Sequence, residues 1–551
     1  MVEGDRMEEA RQITRAAGVI GLATLLSRVT GLARDMVVGY LFGAQGAADA
    51  FFVAFRIPNL LRRLTAEGAL TAGFVPVFTH YLANRGRFEA MRIARLTFTL
   101  TALALALVTA AGIWLADPLT RLFAPGFATD EEKFGLTVLL TRLMFPYLFF
   151  VSLVALAMGL LNSLRHFLAP ALSPVLLNLS IIAAAMTLPV FFHEPVIALA
   201  WGVLMGGAAQ LLLQVPYLSR FGFSYEPDFS FRDPAIKRLL LFMGPGFVGA
   251  AVYQINVLVS TILASLLPEG SVSYLYYADR LLQFPLGIFA VALGTAALPS
   301  FSSLVAGGKL EELKRSLGYA LGLVNFVSLP AALGLAALAV PIFALLFQRG
   351  AFDAQTTLAA ADALIFFSLG LWGVSGTRVA VAVFYAMEDT KTPAFIAFLS
   401  FLINLASSLV FMGAVEVEAD ASGAARAIAG LSAVLALTSL SHAGLALATS
   451  ASATFNFLAL LYLLRRRIGA FPIDEFARSF FRNLGCSLVM SLPILFISRQ
   501  IDWTDPARHL TTQGMIFASL LFLGISIYFG LSAIVRGPEW QFLRQLLRKW
   551  G

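Results

Sequence analysis

The sequence predicts an all-α, polytopic membrane protein with about fourteen transmembrane helices, arranged as two pseudo-symmetric six-helix lobes plus two C-terminal helices. Three observations predict it. Of 551 residues, 59% are hydrophobic and only 13% are charged, about half the charge of a typical soluble domain. Apolar runs of more than about 18 residues recur along the chain, long enough to cross a bilayer as helix. Short segments alternating with period 2, the mark of a transmembrane β-barrel, do not occur.

In order, the apolar runs place spans at roughly 15–42, 47–83, 92–116, 134–162, 168–192, 195–219, 236–267, 272–304, 316–347, 357–386, 393–414, 441–464, 477–499 and 510–535. Residues 1–14 are polar and the first apolar run leads straight into arginines, so the first span reads as a retained anchor and not a cleaved signal. The loops then divide by charge. One alternate set carries twenty-five Lys and Arg, among them Arg85, Arg87, Arg92, Arg95, Arg465, Arg466 and Arg467; the other carries six, Arg121, Lys133, Arg349, Arg426, Arg499 and Arg508. Basic residues gather on the cytoplasmic side, which puts both termini in the cytoplasm and agrees with an even number of spans. The net charge of +7 is therefore a topology signal and not a nucleic-acid signal. The single cysteine, Cys486, offers neither a disulfide nor a metal cluster.

Eight basic residues remain at helix level, and all are arginine: Arg28, Arg34, Arg56, Arg62, Arg63, Arg142, Arg280 and Arg378. A charge at the centre of a membrane helix costs about 2.5–3.5 kcal/mol on insertion scales. Lysine suits a snorkelling point charge, whereas the guanidinium fork matches phosphate oxygens. Each arginine alone has a bland reading as a paired packing residue or a headgroup snorkel, and Arg142 and Arg378 are candidates for it. Together they outnumber the helix-level acids, Asp35, Asp49, Glu67, Asp279 and Asp362. The surplus asks for a water-filled cavity or a polyanionic ligand, with phosphate the natural match.

The chain also repeats itself. "FFVAFRIPNLL" (51–61) pairs with "LYYADRLLQFP" (275–285), setting Arg56 over Arg280; "ALTAGFVPVF" (69–78) pairs with "ALGTAALPSF" (292–301); "SPVLLNL" (173–179) pairs with "LSFLINL" (399–405), setting Asn178 over Asn404. The nearly constant offset argues against chance likeness of apolar helices. Six spans fill one copy, so both copies share one orientation, a transporter plan with its site between the halves. The expected lobes are 1–222 and 223–468, followed by 469–551.

Within the first copy, helical geometry sets Ser27, Arg28, Gly31, Arg34 and Asp35 on one broad stripe, with Gly31 leaving room for a ligand. The second span carries "FRIPNLLRRLTAEGA" (55–69), in which Pro58 kinks the helix and Arg63 can pair with Glu67 at i, i+4. Asp49 lies at its outer end.

"SRVTGLARD" (27–35), "DAFFVAFRIPNLLRRLTAEGA" (49–69), "SYLYYADRLLQFPLGIFAVALGTAALP" (273–299) and "HAGLALATS" (442–450) resemble the MurJ (MviN) family of lipid II flippases. That family belongs to the superfamily of multidrug and oligosaccharidyl-lipid exporters. The resemblance spans nearly the whole chain. It implies fourteen helices, a groove formed by the last two, a bacterial inner membrane and a role in peptidoglycan synthesis. It implies that Arg28, Arg34, Arg62 and Arg280 bind the substrate diphosphate and that Asp49 is functionally sensitive. Ser27, Asp35 and Arg56 complete the candidate substrate-binding set.

The sequence departs from the family pattern at "EVEADASGAARAIAGLSAVLALTSLS" (416–441), where a short loop is expected. A fifteenth span here would export Arg465–Arg467, Arg478 and Arg482, so the insertion reads as a partly helical segment on the outer side. Some members are expected to hold sodium between the seventh and eleventh spans. The matching stretches here, "YQINVLVSTILAS" and "FLINLASSL", contain no carboxylate, which speaks against sodium coupling.

The leading function is a transporter and not an enzyme: a lipid II flippase carrying an undecaprenyl-diphosphate-linked precursor from the cytoplasmic to the periplasmic leaflet by alternating access. Alternatives are a flippase for another polyprenyl-diphosphate oligosaccharide and, further off, a multidrug exporter. An exporter of cations needs acidic cavities, and these spans are basic. An enzyme wants clustered carboxylates or histidines, and His80, His166, His193, His442 and His509 are scattered. A channel would lack the two-lobe repeat. No cofactor or metal is implied; the expected partners are lipid II and membrane lipids, no nucleic acid, with a monomeric chain beside the cell-wall synthesis machinery.

Overall fold

A computed structural model describes residues 2–64, 70–418, 423–469, 473–505, 509–541 and 544. Every regular element among them is helical. The main helices are α1 (Val2–Phe42), α2 (Gly46–Arg62), α3 (Thr71–Asn84), α4 (Gly86–Trp114), α5 (Ala116–Phe123), α6 (Glu131–Ser163), α7 (Leu168–Thr187), α8 (Ile197–Arg220), α9 (Pro234–Ser265) and α10 (Ser271–Pro285). They continue with α11 (Val291–Ala306), α12 (Leu310–Ala337), α13 (Ala339–Leu346), α14 (Ala354–Leu369), α15 (Leu371–Ala386), α16 (Lys391–Phe411), α17 (Gly423–Leu435), α18 (Ser441–Ile468), α19 (Ile473–Arg499) and α20 (Leu510–Val535).

Among the described residues, eleven helical stretches are long and apolar enough to cross a membrane, α10–α11 and α14–α15 each counting as one. The other three expected spans coincide with α1, with α2 plus α3, and with α9. Two helices, α2 and α10, are interrupted. α2 contains Pro58 and gives way to a π turn at residues 63–64. α10 ends on Pro285 and runs into a π turn over Leu286–Ala290. The two breaks fall at matching places in the repeat. π turns inside helices mark hinges and functional sites more often than plain α geometry does.

The chain divides into two compact units, residues 1–269 and 270–551. In the first, α6 packs between α2, α4 and α8, and α7 packs on α1 and α8. The approach of α8 to α7 depends on small residues: a Cβ at Gly202 would lie 2.8 Å from Ile181 Cα, and one at Gly206 would lie 2.7 Å from Leu177 Cδ1. Small residues let membrane helices close to van der Waals contact where no hydrophobic drive exists between them. Phe74, Phe78, Leu156 and Leu160 fill the core at one end. α9 belongs to this unit, packed on α3 and α5.

A charged strap fixes the segment leading into α9. Arg92 on α4 binds Asp233 at 2.7 Å and Glu89 at 3.1 Å, Arg95 binds Glu226 at 2.5 Å, and Asp233 caps α9 by accepting from Ala235 N.

In the second unit α12 packs on α15 and α19, α16 and α15 on α18, and α19 on α20. A polar thread runs between them. Trp372 Nε1 donates to Asn325 Oδ1 at 2.8 Å, Ser479 Oγ donates to buried Glu539 at 2.6 Å, Arg482 pairs with the same carboxylate, and Tyr528 donates to Phe326 O at 2.6 Å. In a dry interior such groups must be satisfied within the protein.

The insertion folds back on itself. α17 has 13 residues, about 20 Å of helix, short of the ~30 Å hydrocarbon core. Leu437 N, Leu440 N and Ser441 N donate to Val410, Phe411 and Met412 carbonyls at 3.0–3.1 Å. The chain therefore enters α18 from the end at which it left α16. Ala425, Ala429 and Ser432 are buried, while Leu431, Val434 and Leu437 point outward, Val434 at 82% exposure.

Candidate diphosphate-binding residues

α1 divides the expected stripe into two. Arg34 and Asp35 are buried, at 6% and 1% exposure. Arg34 Nε donates to Asp35 Oδ1 at 2.9 Å, and its Nη1 donates to Asn178 Oδ1 on α7 at 3.2 Å. Asn178 Nδ2 in turn reaches Ser27 O at 3.2 Å and Thr30 Oγ1 at 3.3 Å. Gly31 is buried and faces Asn178: a Cβ there would make an ordinary contact, 3.5 Å from Asn178 Nδ2. Ser27 and Arg28 are half-buried. Arg28 has no hydrogen-bonding or charged partner among the described residues, so its fork remains available to an anion.

α2 presents the next group. Asp49 is buried at 1% exposure and forms a 3.1 Å ion pair with Lys133 Nζ, from the first turn of α6. Arg56 Nη1 donates to Thr261 Oγ1 on α9 at 2.6 Å. Arg62 Nε donates to Asn59 Oδ1 at 2.8 Å, one turn back on the same helix, and its side chain is half-buried. Arg63 is half-buried, and the Glu67 expected to pair with it lies outside the described residues. In the second unit Arg280 is half-buried, with its guanidinium 5.9 Å from the Tyr276 ring centre; the adjacent Asp279 accepts from Gln283 Nε2 at 2.6 Å.

Arg142 and Arg378 are exposed and have no partner among the described residues. Arg142 lies about 16 Å along α6, and Arg378 about 12 Å from the end of α15. Among the described residues neither is a paired packing residue, and their exposure fits the other half of the bland reading, a snorkel to a headgroup.

Among the described residues, no cluster of His, Cys, Asp or Glu could hold a metal. Asn404, the repeat partner of Asn178, donates to Ser452 Oγ at 3.3 Å and to Thr449 Oγ1 at 3.4 Å, and accepts from Ser408 at 3.2 Å. This neutral set does not fit the charged oxygen donors that a hard cation prefers. Sequence reasoning gave no role to Lys133, Asn178 or Thr261. The repeat alignment of Asn178 with Asn404 was the one available signal.

A family model described as "Lipid II flippase MurJ" matches residues 38–505. The chain belongs to the MurJ family of lipid II flippases. A Burkholderia cenocepacia member named lipid II flippase MurJ is 36% identical over 96% of this chain and 99% of its own length. A probable lipid II flippase MurJ of Vibrio cholerae is 34% identical over 94% and 97%. A solved structure of a MurJ in an inward closed conformation superposes with a TM-score of 0.73 at 25% identity, covering 96% of this chain and 99% of that one. An inward-facing multidrug transporter of the MATE family superposes with a TM-score of 0.65 at 14% identity over 83% of this chain, a likeness of fold alone. Family and fold make this a multi-pass membrane transporter, not an enzyme.

Proposed function

We propose that this chain is a lipid II flippase of the bacterial inner membrane, carrying the polyprenyl-diphosphate-linked muropeptide to the periplasmic leaflet by alternating access. The observation that carries the site is the guanidinium of Arg28 on α1, which has no partner among the described residues. Two adjoining phosphates offer oxygens that the planar fork can take two at a time. Arg62 and Arg280, half-buried on helices that break into π turns, supply further charge; Arg34 and Asp35 form the buried base under α1. Ser27, Arg56 and Asp49 belong to the same polar set. The lobe plan 1–222, 223–468 and 469–551, with both termini cytoplasmic, follows from the repeat and the loop charges. In this reading the chain works as a monomer beside the cell-wall synthesis machinery, without a cofactor.

The test is transport of labelled lipid II by the purified chain in proteoliposomes, together with rescue of a strain depleted of its own flippase. Movement of a different polyprenyl-diphosphate oligosaccharide in preference to lipid II would favour the related-substrate reading. Export of cationic drugs without lipid movement would favour the exporter.

A further inference from the structure

We propose that Lys133 is a positioning residue for Asp49, and that this buried pair serves transport and not folding. The inference rests on the flippase reading above and extends it to a residue outside the expected site. Lys133 Nζ lies 3.1 Å from Asp49 Oδ2, and the two side chains are 12% and 2% exposed. The ammonium also sits 4.2 Å from the Phe127 ring centre, a cation–π contact strengthened by desolvation. Its stem fills the space beside α2: a Cβ at Gly46 would lie 3.6 Å from Lys133 Cδ and 3.0 Å from Glu269 Oε1. Gly46 N itself donates to Glu269. One lysine thus fixes the carboxylate in the first turn of α2 against the first turn of α6.

The repeat shows that the helix pair does not need this charge to pack. Asp130 caps α6 by accepting from Lys133 N at 2.9 Å, and Asp353 caps α14 by accepting from Thr356 N at 2.8 Å. That register sets Thr356 at the place of Lys133. The register of Arg56 and Arg280 sets Ser273 at the place of Asp49. α10 packs on α14 as α2 packs on α6, with Ser273 and Thr356 both buried. One copy therefore packs the matching helix pair with buried neutral hydroxyl residues at both positions.

Energetics point the same way. A buried ion pair gains little over a well-packed neutral pair, because desolvation offsets the attraction. Lys133 also sits at a helix N-terminus, where the macrodipole disfavours a cation. A lysine held there against both costs, in one copy only, is there for the carboxylate it orients.

The experiment compares Lys133→Met, Lys133→Arg, Asp49→Asn and the double variant Asp49→Asn/Lys133→Met in the full chain. Labelled lipid II transport in proteoliposomes is read beside the melting temperature. Breaking either half leaves a buried charge unpaired and lowers the melting temperature; on this proposal transport per folded chain also falls by about tenfold or more, while Lys133→Arg stays within a few fold. The double variant should melt like the parent yet transport no better than Asp49→Asn. Parental transport by the double variant overturns the proposal, because the pair is then only a packing device. Parental transport by Lys133→Met alongside a defective Asp49→Asn also overturns it, because the carboxylate then needs no lysine. Failure of the parent chain to move lipid II in the same vesicles is a separate result and overturns the flippase reading instead.

Discussion

Arg34 Nη1 donates to Asn178 Oδ1 at 3.2 Å, tying α1 to α7 through a guanidinium whose other side rests on Asp35. The contact explains how the first helix carries a charge pair at membrane depth. The arginine is neutralised by its chain neighbour, and the amide accepts from one of its Nη1 hydrogens. Asn178→Ala should cost about 1–3 kcal/mol, since it leaves a charged donor buried and short of an acceptor. Asn404→Ala removes only neutral bonds and should cost less, about 1 kcal/mol. Thermal unfolding of the two detergent-solubilised variants gives the comparison; equal losses would mean that the charge of Arg34 does not load on Asn178.

Arg28 differs from Arg34 in having no partner among the described residues. Arg28→Lys should therefore impair rescue of a flippase-depleted strain nearly as much as Arg28→Ala, while leaving the melting temperature near that of the parent. Lysine keeps the charge but loses the two-pronged geometry. Full rescue by the lysine variant would show that charge alone suffices.

The strap at Asp233 should give the protein an acid-sensitive edge. Burial alone would push this carboxyl up, but the Ala235 N–H and the Arg92 guanidinium outweigh it and hold it below its ordinary value. A carboxyl depressed in the folded state contributes stability that is complete above its unfolded pKa of about 3.9 and is lost as pH falls toward the folded value. Asp233→Asn should lower the melting temperature at pH 7, and the difference from the parent should shrink as pH drops below about 4. A difference that does not vary with pH would assign the effect to helix capping alone.

The helices themselves were open to reading because length and apolarity mark them out; the even number of spans and the cytoplasmic termini rest on the charge division of the loops and belong to the proposed function. The breaks in α2 and α10 were partly open through Pro58 and Pro285. The interior of the site was less so. Helical periodicity puts Arg34 on the same face as Arg28 and Gly31, yet Arg34 and Asp35 pair as chain neighbours and turn inward to α7. No spacing rule encodes an i, i+1 ion pair of this kind, since such neighbours do not face each other on a helix. Lys133 was hidden for a different reason. It counts as a loop charge in any topology tally, and only the folded first turn of α6 brings it to Asp49, 84 positions away.

The insertion gives the last test. Because Leu440 N and Ser441 N bond to the carbonyls of Phe411 and Met412, the two ends of the segment already lie side by side. Deleting 417–440 leaves residues 413–416 to bridge them, and so short a loop closes at little entropic cost when its ends are adjacent. The deletion should therefore keep the membrane topology and the positions of α16 and α18. Single cysteines at Glu416 and Ser439, in a chain carrying Cys486→Ser, should react with an impermeant maleimide from the same side of the membrane. Reaction from opposite sides would require a crossing by α17, whose 13 residues reach about 20 Å, and would refute the hairpin return. Tryptophan at Val434 should show lipid-facing fluorescence that a water-soluble quencher reaches poorly, since this side chain points outward from α17 with Leu431 and Leu437. Ready quenching there would place the apolar face of the helix in water and remove the interfacial reading of the insertion.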